Sequence, residues 1–144
     1  MTNEAHTTPS AVRTWPQRGA RADSVLRVLA IIGLIGVATQ FLLAGAGAFG
    51  EGFSNHVYLG RFLAVWALAL LVTVLIARAG RADVLTAVGL LLIALGQSGF
   101  AILSQEVSGW FGMLHVLGGA AYGGLTHQLM AGAKRRQQLR QQAG

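Results

Sequence analysis

Two histidines occupy comparable places in long apolar stretches of the sequence. His56 lies in Asn-His-Val-Tyr-Leu-Gly and His115 in Leu-His-Val-Leu-Gly-Gly. An ionisable side chain within a membrane span is costly, so a matched pair at one expected depth indicates a site. Two imidazoles that face each other across a helical bundle can hold a haem iron from both sides. We predict that both are axial haem ligands; interfacial histidines and a proton-handling or quinone-binding pair are the alternatives.

Glycines follow both histidines along the same helical face. Gly60 lies four residues after His56, and Gly119 lies four residues after His115. Residues at this spacing are neighbours on a helix, so each imidazole is expected to have bare backbone beside it, which gives clearance for a flat porphyrin. Close packing between helices explains the same glycines without a ligand, as in Gly119-x-x-x-Gly123.

Three polar residues within the apolar stretches complete the predicted site. Arg61 can pair with a haem propionate, although an arginine near a span end also extends toward lipid headgroups without any ligand. Gln40 and Gln97 are expected to face the bundle interior, where they would bond to other helices or support the ligand. His127 has no matching histidine, so we do not assign it as a ligand.

The composition indicates a membrane protein. The chain has 144 residues, of which 53% are hydrophobic and only 11% charged, and its mean hydropathy is +0.56. So few charges cannot cover a soluble domain of this length. The chain has no cysteine, which excludes disulfides, iron–sulfur clusters, thiolate haem ligation and covalent c-type haem.

Four stretches have the length of a membrane span, about 20 residues. They cover residues 24–49, 56–77, 83–103 and 108–131, and Ser24, Asp83 and Ser108 are expected to cap the first, third and fourth helices. The predicted fold class is an all-α membrane protein with a bundle of four transmembrane helices. Its predicted parts are a disordered cytoplasmic tail (1–23), the bundle (24–132) and a basic cytoplasmic C-terminal tail (133–144) that extends the last helix.

Basic residues predict the orientation of the chain. Ten of the eleven Lys and Arg residues lie in the two tails, the first helical turn and the turn between the second and third spans. The opposite turns carry Glu51 and Glu106. The positive-inside rule therefore predicts an inner-membrane protein with both termini in the cytoplasm. The net charge of +6 indicates contacts with anionic membrane lipid and no nucleic-acid partner, because no groove-reading or stacking motif accompanies the basic runs.

The four spans form two similar helix pairs. Gln40 precedes an acidic outer turn and then His56, just as Gln97 precedes an acidic outer turn and then His115. Two helix pairs with the same topology imply a pseudo-two-fold axis along the membrane normal. The two histidines would approach that axis from opposite sides. His115 lies deeper in its predicted helix, so both can reach one iron if the second helix begins near residue 53 or 54 or projects above the hydrocarbon.

These motifs resemble one four-helix half of the haem A synthase family and small four-helix membrane proteins of the same plan. The resemblance covers about residues 25–129 and rests on Gln40-Phe-Leu-Leu-Ala-Gly45, His56 with Gly60, Gln97-x-Gly99 and Leu114-His115. It implies that His56 and His115 are axial haem ligands and that Glu51 matches an acidic residue of the outer turn. The cysteine pair of those enzymes has no counterpart here, and the sequence contains one bundle, so synthase activity is not expected.

We therefore expect one b-type haem, bound near the outer face, in electron transfer or haem handling. Two protein ligands to the iron leave no position open for a substrate, so an independent enzyme is not expected. A quinone or a respiratory or assembly protein would be the redox partner, and the sequence leaves homo-oligomers open. The alternative class is a haem-free accessory subunit or assembly factor. A small transporter is disfavoured, because no span is interrupted and no acidic residue is expected within the membrane.

Overall fold

The computed structural model describes residues 15–142, and they form an all-helical bundle. Helix α1 spans Trp15–Ala46 and continues into a π-helical turn, Gly47–Glu51. Helices α2, α3 and α4 span Ser54–Ile76, Arg81–Glu106 and Trp110–Gln142. The described residues contain no strand. The predicted all-α fold class is confirmed.

The four helices form a closed ring. Each helix packs against its neighbours in sequence, and α1 also packs against α4. The connections are short, so consecutive helices run antiparallel. One end of the bundle holds the starts of α1 and α3 and the end of α4, and we call it the basic end. The opposite end, where α2 and α4 begin, is the histidine end.

Three of the helices are long and apolar enough to cross a membrane. These segments are Gly19–Glu51, Ser54–Ile76 and Arg81–Glu106. Large apolar side chains, among them Ile35, Leu42, Val65 and Leu92, point away from the bundle, which is costly in water and favourable in lipid. Helix α4 contains more glycine and polar residues than the other three. The fourth predicted span remains a prediction.

The core is densest toward the basic end. Each helix contributes one leucine and one alanine that are fully buried; these are Leu26, Ala30, Ala67, Leu70, Ala87, Leu90, Leu129 and Ala133. Alternating large and small side chains lets four helices approach one another closely at this level. Trp66 ties α2 to α1 beside this layer, because its indole N–H donates to the Leu29 carbonyl at 2.9 Å.

An ionic cluster joins three helices at the basic end. Arg136 of α4 donates through Nε to Asp23 of α1 at 2.9 Å and through Nη1 to Asp83 of α3. Arg140 donates to the second oxygen of Asp23 at 2.5 Å. The Asp23 side chain is fully buried, and a buried carboxylate is stable only when it is paired in this way. Gly132 leaves room for Asp83, whose Oδ1 would lie 2.8 Å from a Cβ at that position.

This cluster explains where the predicted helix starts are wrong. Helix α1 begins at Trp15, so residues 15–23 are helical and not part of a disordered tail; residues 1–14 of that predicted tail lie outside the described residues. Ser24 does not cap α1, because its hydroxyl donates to the Ala20 carbonyl inside the helix. Asp83 does not cap α3 but lies in its first turn, held by Arg136. The Asp23 pairing with α4 stabilises the polar start of α1.

The starts of the other two helices, Ser54 and Trp110, lie within two residues of the predicted spans. The start of α2 is one of the two positions expected for a site that both histidines share. The Ser108 hydroxyl accepts a long hydrogen bond from the Trp110 N–H at the start of α4, at 3.4 Å. At the other end of α4, the helix continues through the basic residues to Gln142, as predicted for the C-terminal tail.

Candidate functional site

The two predicted histidine ligands lie next to each other. His56 is in the first turn of α2 and His115 in the second turn of α4, so both rings enter the bundle at the histidine end. The ring centroids are 5.8 Å apart and the ring planes are inclined by 57°. Helices α2 and α4 stand diagonally across the ring of helices, so the two imidazoles meet across its centre.

Each imidazole is fixed by a backbone carbonyl of the neighbouring helix. His56 Nδ1 lies 3.1 Å from the Gln40 carbonyl oxygen, and His115 Nδ1 lies 3.0 Å from the Gln97 carbonyl oxygen. A carbonyl oxygen only accepts, so Nδ1 carries the proton in both rings. In the neutral tautomer, Nε2 then has a free lone pair. Within residues 19–142, no hydrogen bond uses either Nε2 atom.

The glutamine side chains fill the space beside the glycines. Gln40 Nε2 donates to the His56 carbonyl at 2.8 Å, and a Cβ at Gly60 would lie 3.0 Å from the same nitrogen. The Gln97 amide lies so close to Gly118 that a Cβ there could not fit without displacing it. The space beside Gly60, which was predicted to be clearance for a porphyrin, is therefore shared with an amide. On α4, the glycine that meets a glutamine amide is Gly118, and not Gly119.

A cavity of about 310 Å³ lies between the helices at this level. Both histidines and all five of the other predicted site residues line it: Gln40, Gly60, Arg61, Gln97 and Gly119. Most of the remaining wall is apolar. It consists of Val37, Phe41, Ala44, Val57, Leu63, Ala64, Ala94, Leu95, Ser98, Ala101, Val116 and Tyr122.

The wall has the same spacing on both helix pairs. Helix α1 contributes positions 37, 40, 41 and 44, and α3 contributes the positions 57 further along, 94, 97, 98 and 101. Helix α2 contributes 56, 57, 60 and 63, and α4 contributes the positions 59 further along, 115, 116, 119 and 122. Eight lining positions of α1 and α2 thus have counterparts at these constant offsets on α3 and α4, among them Gln40 with Gln97 and His56 with His115.

A buried hydrogen bond crosses the bundle below the cavity. The Tyr122 hydroxyl of α4 donates to the Leu63 carbonyl of α2 at 2.8 Å, and the tyrosine is almost fully buried. This contact was not predicted from the sequence. The aromatic ring and its bond separate the cavity from the leucine and alanine layer at the basic end.

Arg61 lies at the edge of the cavity. The same side chain lines an open groove of about 360 Å³ on the outside of α2, together with Phe53, Ser54, Val57 and Tyr58. Residues 54, 57, 58 and 61 share one helical face. The side chain of Arg61 is exposed. It is the only Arg, Lys, Asp or Glu among the described residues that line the cavity.

Two residues considered in the sequence lie away from the site. His127 is exposed on the surface of α4 and does not line the cavity. Glu51 ends the exposed π-helical turn and does not line it either. Sequence reasoning also missed the ionic cluster, because it counted Arg136 and Arg140 only as topology signals. The signal that could have indicated this cluster is the presence of Asp23 and Asp83 in the N-terminal parts of α1 and α3.

Among residues 15–142, no third ligating side chain accompanies the histidine pair. No group of three or more His, Cys, Asp or Glu residues that could hold a metal ion occurs in the described part of the chain. Comparison with known proteins adds no family to this description. No protein-family model, curated protein or solved structure matches the chain.

Proposed function

We propose that the protein binds one b-type haem between His56 and His115. The distance between the two rings carries the proposal. An imidazole nitrogen binds a transition metal at about 2 Å and lies about 1 Å from its ring centre, so two rings on opposite sides of one metal have centres roughly 6 Å apart. The observed centroid separation is 5.8 Å. The two helices thus hold the rings near the separation that bis-histidine ligation requires.

The hydrogen bonds of the rings support the same assignment. The Gln40 and Gln97 carbonyls hold the Nδ1–H groups, which leaves Nε2 as the ligating atom on each ring. Such bonds orient a ligating histidine and raise its basicity. A bare zinc ion would need about four ligands, and the described residues supply two together. A tetrapyrrole supplies four nitrogens itself and needs only the two axial ones.

The cavity agrees with an apolar ligand of moderate size. Its volume of about 310 Å³ lies at the lower end of the roughly 300–1,000 Å³ that is typical of small-molecule sites. It is also open at its sides, where Leu95 and Val116 are more than half exposed, so a ligand could extend between helices. Gly60 and Gly119 would border such a ligand, and Gln40 and Gln97 would hold its protein ligands in place.

The proposed architecture is a four-span bundle made of two equivalent helix pairs. Helix α4 runs antiparallel to α1 and α3 over the length of the bundle, from Ser104 and Gly112 at one end to Asp23 and Arg136 at the other. Buried positions also correspond, such as Ala30 with Ala87 and Leu70 with Leu129, at the offsets that relate the cavity walls. These correspondences support a pseudo-two-fold axis between the helix pairs.

The proposed orientation places the haem near the outer face of the inner membrane. All the acidic and basic groups of the ionic cluster lie at the basic end, which the positive-inside rule assigns to the cytoplasm. Single cysteines introduced at Glu51 and Glu106 should be labelled by a membrane-impermeant reagent from outside, and cysteines at Arg81 and Lys134 should not. Labelling at Arg81 from the outside would reverse the orientation and place the site at the cytoplasmic face.

Electron transfer or haem handling is the role that this site supports best. A haem held by His56 and His115 would supply one-electron redox chemistry, and because both histidines would bind its iron, it would leave no position for a substrate. The chain's own residues would bind it, orient it and shield it from water. A site near one face cannot span about 30 Å of hydrocarbon, so a quinone or a membrane-protein partner would complete an electron path. The kinship with one half of the haem A synthases is part of this proposal.

Absorption spectroscopy tests the proposal directly. The full-length protein, purified in detergent after expression with ample haem, should show the sharp reduced α and β bands and shifted Soret band of low-spin bis-histidine haem. Haem added to protein purified without it should produce the same spectrum and saturate at one haem per chain. A colourless preparation that also fails to bind added haem would contradict the proposal and favour a haem-free accessory subunit.

A further inference from the structure

The two equivalent walls of the cavity differ in their chemistry. Phe41 of α1 corresponds to Ser98 of α3, and the position of α4 that corresponds to Arg61 is Ala120. The side of the cavity between α2 and α3 therefore carries a hydroxyl and a guanidinium. The side between α1 and α4 carries an aromatic ring and aliphatic groups. A ligand with two unlike edges would distinguish between these sides.

Arg61 also gives the polar side a route out of the bundle. It lines both the cavity and the groove along α2, and the groove reaches Phe53 and Ser54 at the start of that helix. Helical side chains lean toward the N-terminal end of their helix. The start of α2 is at the histidine end, so the guanidinium extends toward the surface of the bundle. An anionic group beside Arg61 could pair with the guanidinium and remain in contact with water.

The opposite side is lined by Phe41, whose side chain is partly exposed. Its Cζ would lie 3.4 Å from a Cβ at Gly119, so the ring packs directly on the bare backbone of α4. Valines at positions 37 and 116 complete this part of the wall. This side opens toward the surface of the bundle at Val116, but a carboxylate placed here would find no donor among these side chains and would be unfavourable in lipid.

We infer that the cavity selects an amphipathic ligand with acidic substituents on one edge, and that it orients this edge toward Arg61 and the groove on α2. The inference rests on the proposed haem site, since haem carries two propionates on one edge and apolar substituents on the other. Arginine suits this role because its planar guanidinium can donate two parallel hydrogen bonds to a carboxylate. Ser98 and Arg61 mark the polar side, and Phe41 marks the apolar side.

A comparison of haem with its dimethyl ester tests this inference separately from haem binding itself. The ester has the same iron and macrocycle, but its carboxylates are capped. Full-length protein freed of haem is titrated with each compound in the same detergent, and dissociation constants are taken from the low-spin absorption bands. We expect the wild-type protein to bind haem roughly ten-fold more tightly than the ester, the size expected for hydrogen bonds to a charged group.

The substitution Arg61→Gln should remove this preference. Haem affinity should fall toward that of the ester, while ester affinity should stay within about two-fold of wild type. Arg27→Gln is the matched control, because Arg27 is an exposed arginine at the basic end and should leave the ratio of the two affinities unchanged. Partitioning of the two compounds into detergent is the same for every variant and cancels when the ratios are compared.

Two results would overturn the inference in different ways. A ratio of the two affinities in Arg61→Gln equal to that of the wild-type protein would show that Arg61 does not recognise the carboxylates, although the cavity binds the macrocycle. Failure of both compounds to give a low-spin spectrum with the wild-type protein would remove the haem site itself and this inference with it.

Discussion

The two ends of the bundle use polar groups in opposite ways. At the basic end, both oxygens of the buried Asp23 carboxylate accept from arginines of α4, and the layer beside it is filled with leucine and alanine. At the histidine end, each imidazole uses one nitrogen for a carbonyl and keeps the other free beside a cavity of about 310 Å³. The charged groups at the basic end are paired with one another, whereas Nε2 of each imidazole at the histidine end remains available to a ligand.

This difference indicates a division of labour between stability and binding. Packed cores and paired charges hold helices in a single arrangement. Free ligating atoms beside an open volume contribute little to stability, and such features are typical of functional sites. Substitutions at the two ends should therefore change different measured quantities, namely haem content at the histidine end and unfolding free energy at the basic end.

Removal of either histidine should have the largest effect on the site. His56→Ala or His115→Ala leaves one axial nitrogen, so the low-spin spectrum should disappear or convert to that of five-coordinate haem. The unfolding free energy of haem-free protein should change by less than about 1 kcal/mol, because both rings are partly exposed. Absorption spectra and denaturant titration in detergent measure these two quantities.

His127→Ala is the control for the histidine substitutions. His127 lies on the same helix as His115 but is exposed away from the cavity, so its loss should leave the spectrum nearly unchanged. If His127→Ala abolishes haem binding and His56→Ala does not, the ligand pair is wrong and the site lies nearer the basic end. The contrast between the two ends would then disappear.

Loss of the Asp23 carboxylate should have the largest effect on stability. Asp23→Asn leaves Arg136 and Arg140 without their shared partner at a buried position, and breaking such a pair costs roughly 3–5 kcal/mol. The unfolding free energy in detergent should fall by about this amount. Haem that remains bound to the folded fraction should keep its low-spin bands. If the folded protein also lost its low-spin haem bands, the two ends would not contribute independently to stability and binding.

Arg136→Gln and Arg135→Gln form a matched pair at the same end. Both remove one positive charge from adjacent positions of α4, but Arg136 contacts two aspartates, whereas Arg135 is exposed. Arg136→Gln should lower the unfolding free energy by several kcal/mol, and Arg135→Gln should change it by less than about 0.5 kcal/mol. Similar losses for both would mean that net charge, and not the cluster, stabilises this end.

The contrast also shows what the sequence could predict. Four helices and a facing pair of histidines follow from hydropathy and from the spacing of Gln40, His56, Gln97 and His115, which are local patterns along the chain. Helix α2 begins at Ser54, two residues before its predicted span and at one of the two positions expected for a site that both histidines share. Local patterns were sufficient wherever a residue's role depended on its own helix.

Contacts between distant parts of the chain could not be predicted in this way. The helical start of α1 depends on Asp23 and Arg136, which are 113 positions apart, so its polar residues read as a disordered tail. The Gln97 amide packs on Gly118, and the Tyr122 hydroxyl bonds to Leu63. Hydropathy and periodicity describe which face of a helix is buried, but they do not specify the side chain that meets it on another helix.

A methyl group at Gly118 should have an intermediate effect. Gly118→Ala forces the Gln97 amide to move, because the added Cβ would overlap it, and overpacking of this kind typically costs about 1–3 kcal/mol. The Gln97 carbonyl holds His115, so haem affinity should fall as well. Gly124→Ala is the control on the same helix, since a Cβ there meets nothing within 4 Å. Equal behaviour of both variants would mean that the Gln97 contact does not position His115.

The smallest effect on the absorption spectrum is expected from Arg61, whose charge should tune the potential of the proposed haem without serving as one of its ligands. Removal of a positive charge beside the haem favours its oxidised form, so Arg61→Gln should lower the midpoint potential. An exposed charge interaction of about 0.5–1 kcal/mol corresponds to roughly 20–40 mV for a one-electron couple. Spectroelectrochemical titration measures the shift, and Arg27→Gln, at the opposite end of the bundle, should shift the potential much less. A rise in potential, or equal shifts in the two variants, would show that Arg61 does not lie beside the bound haem.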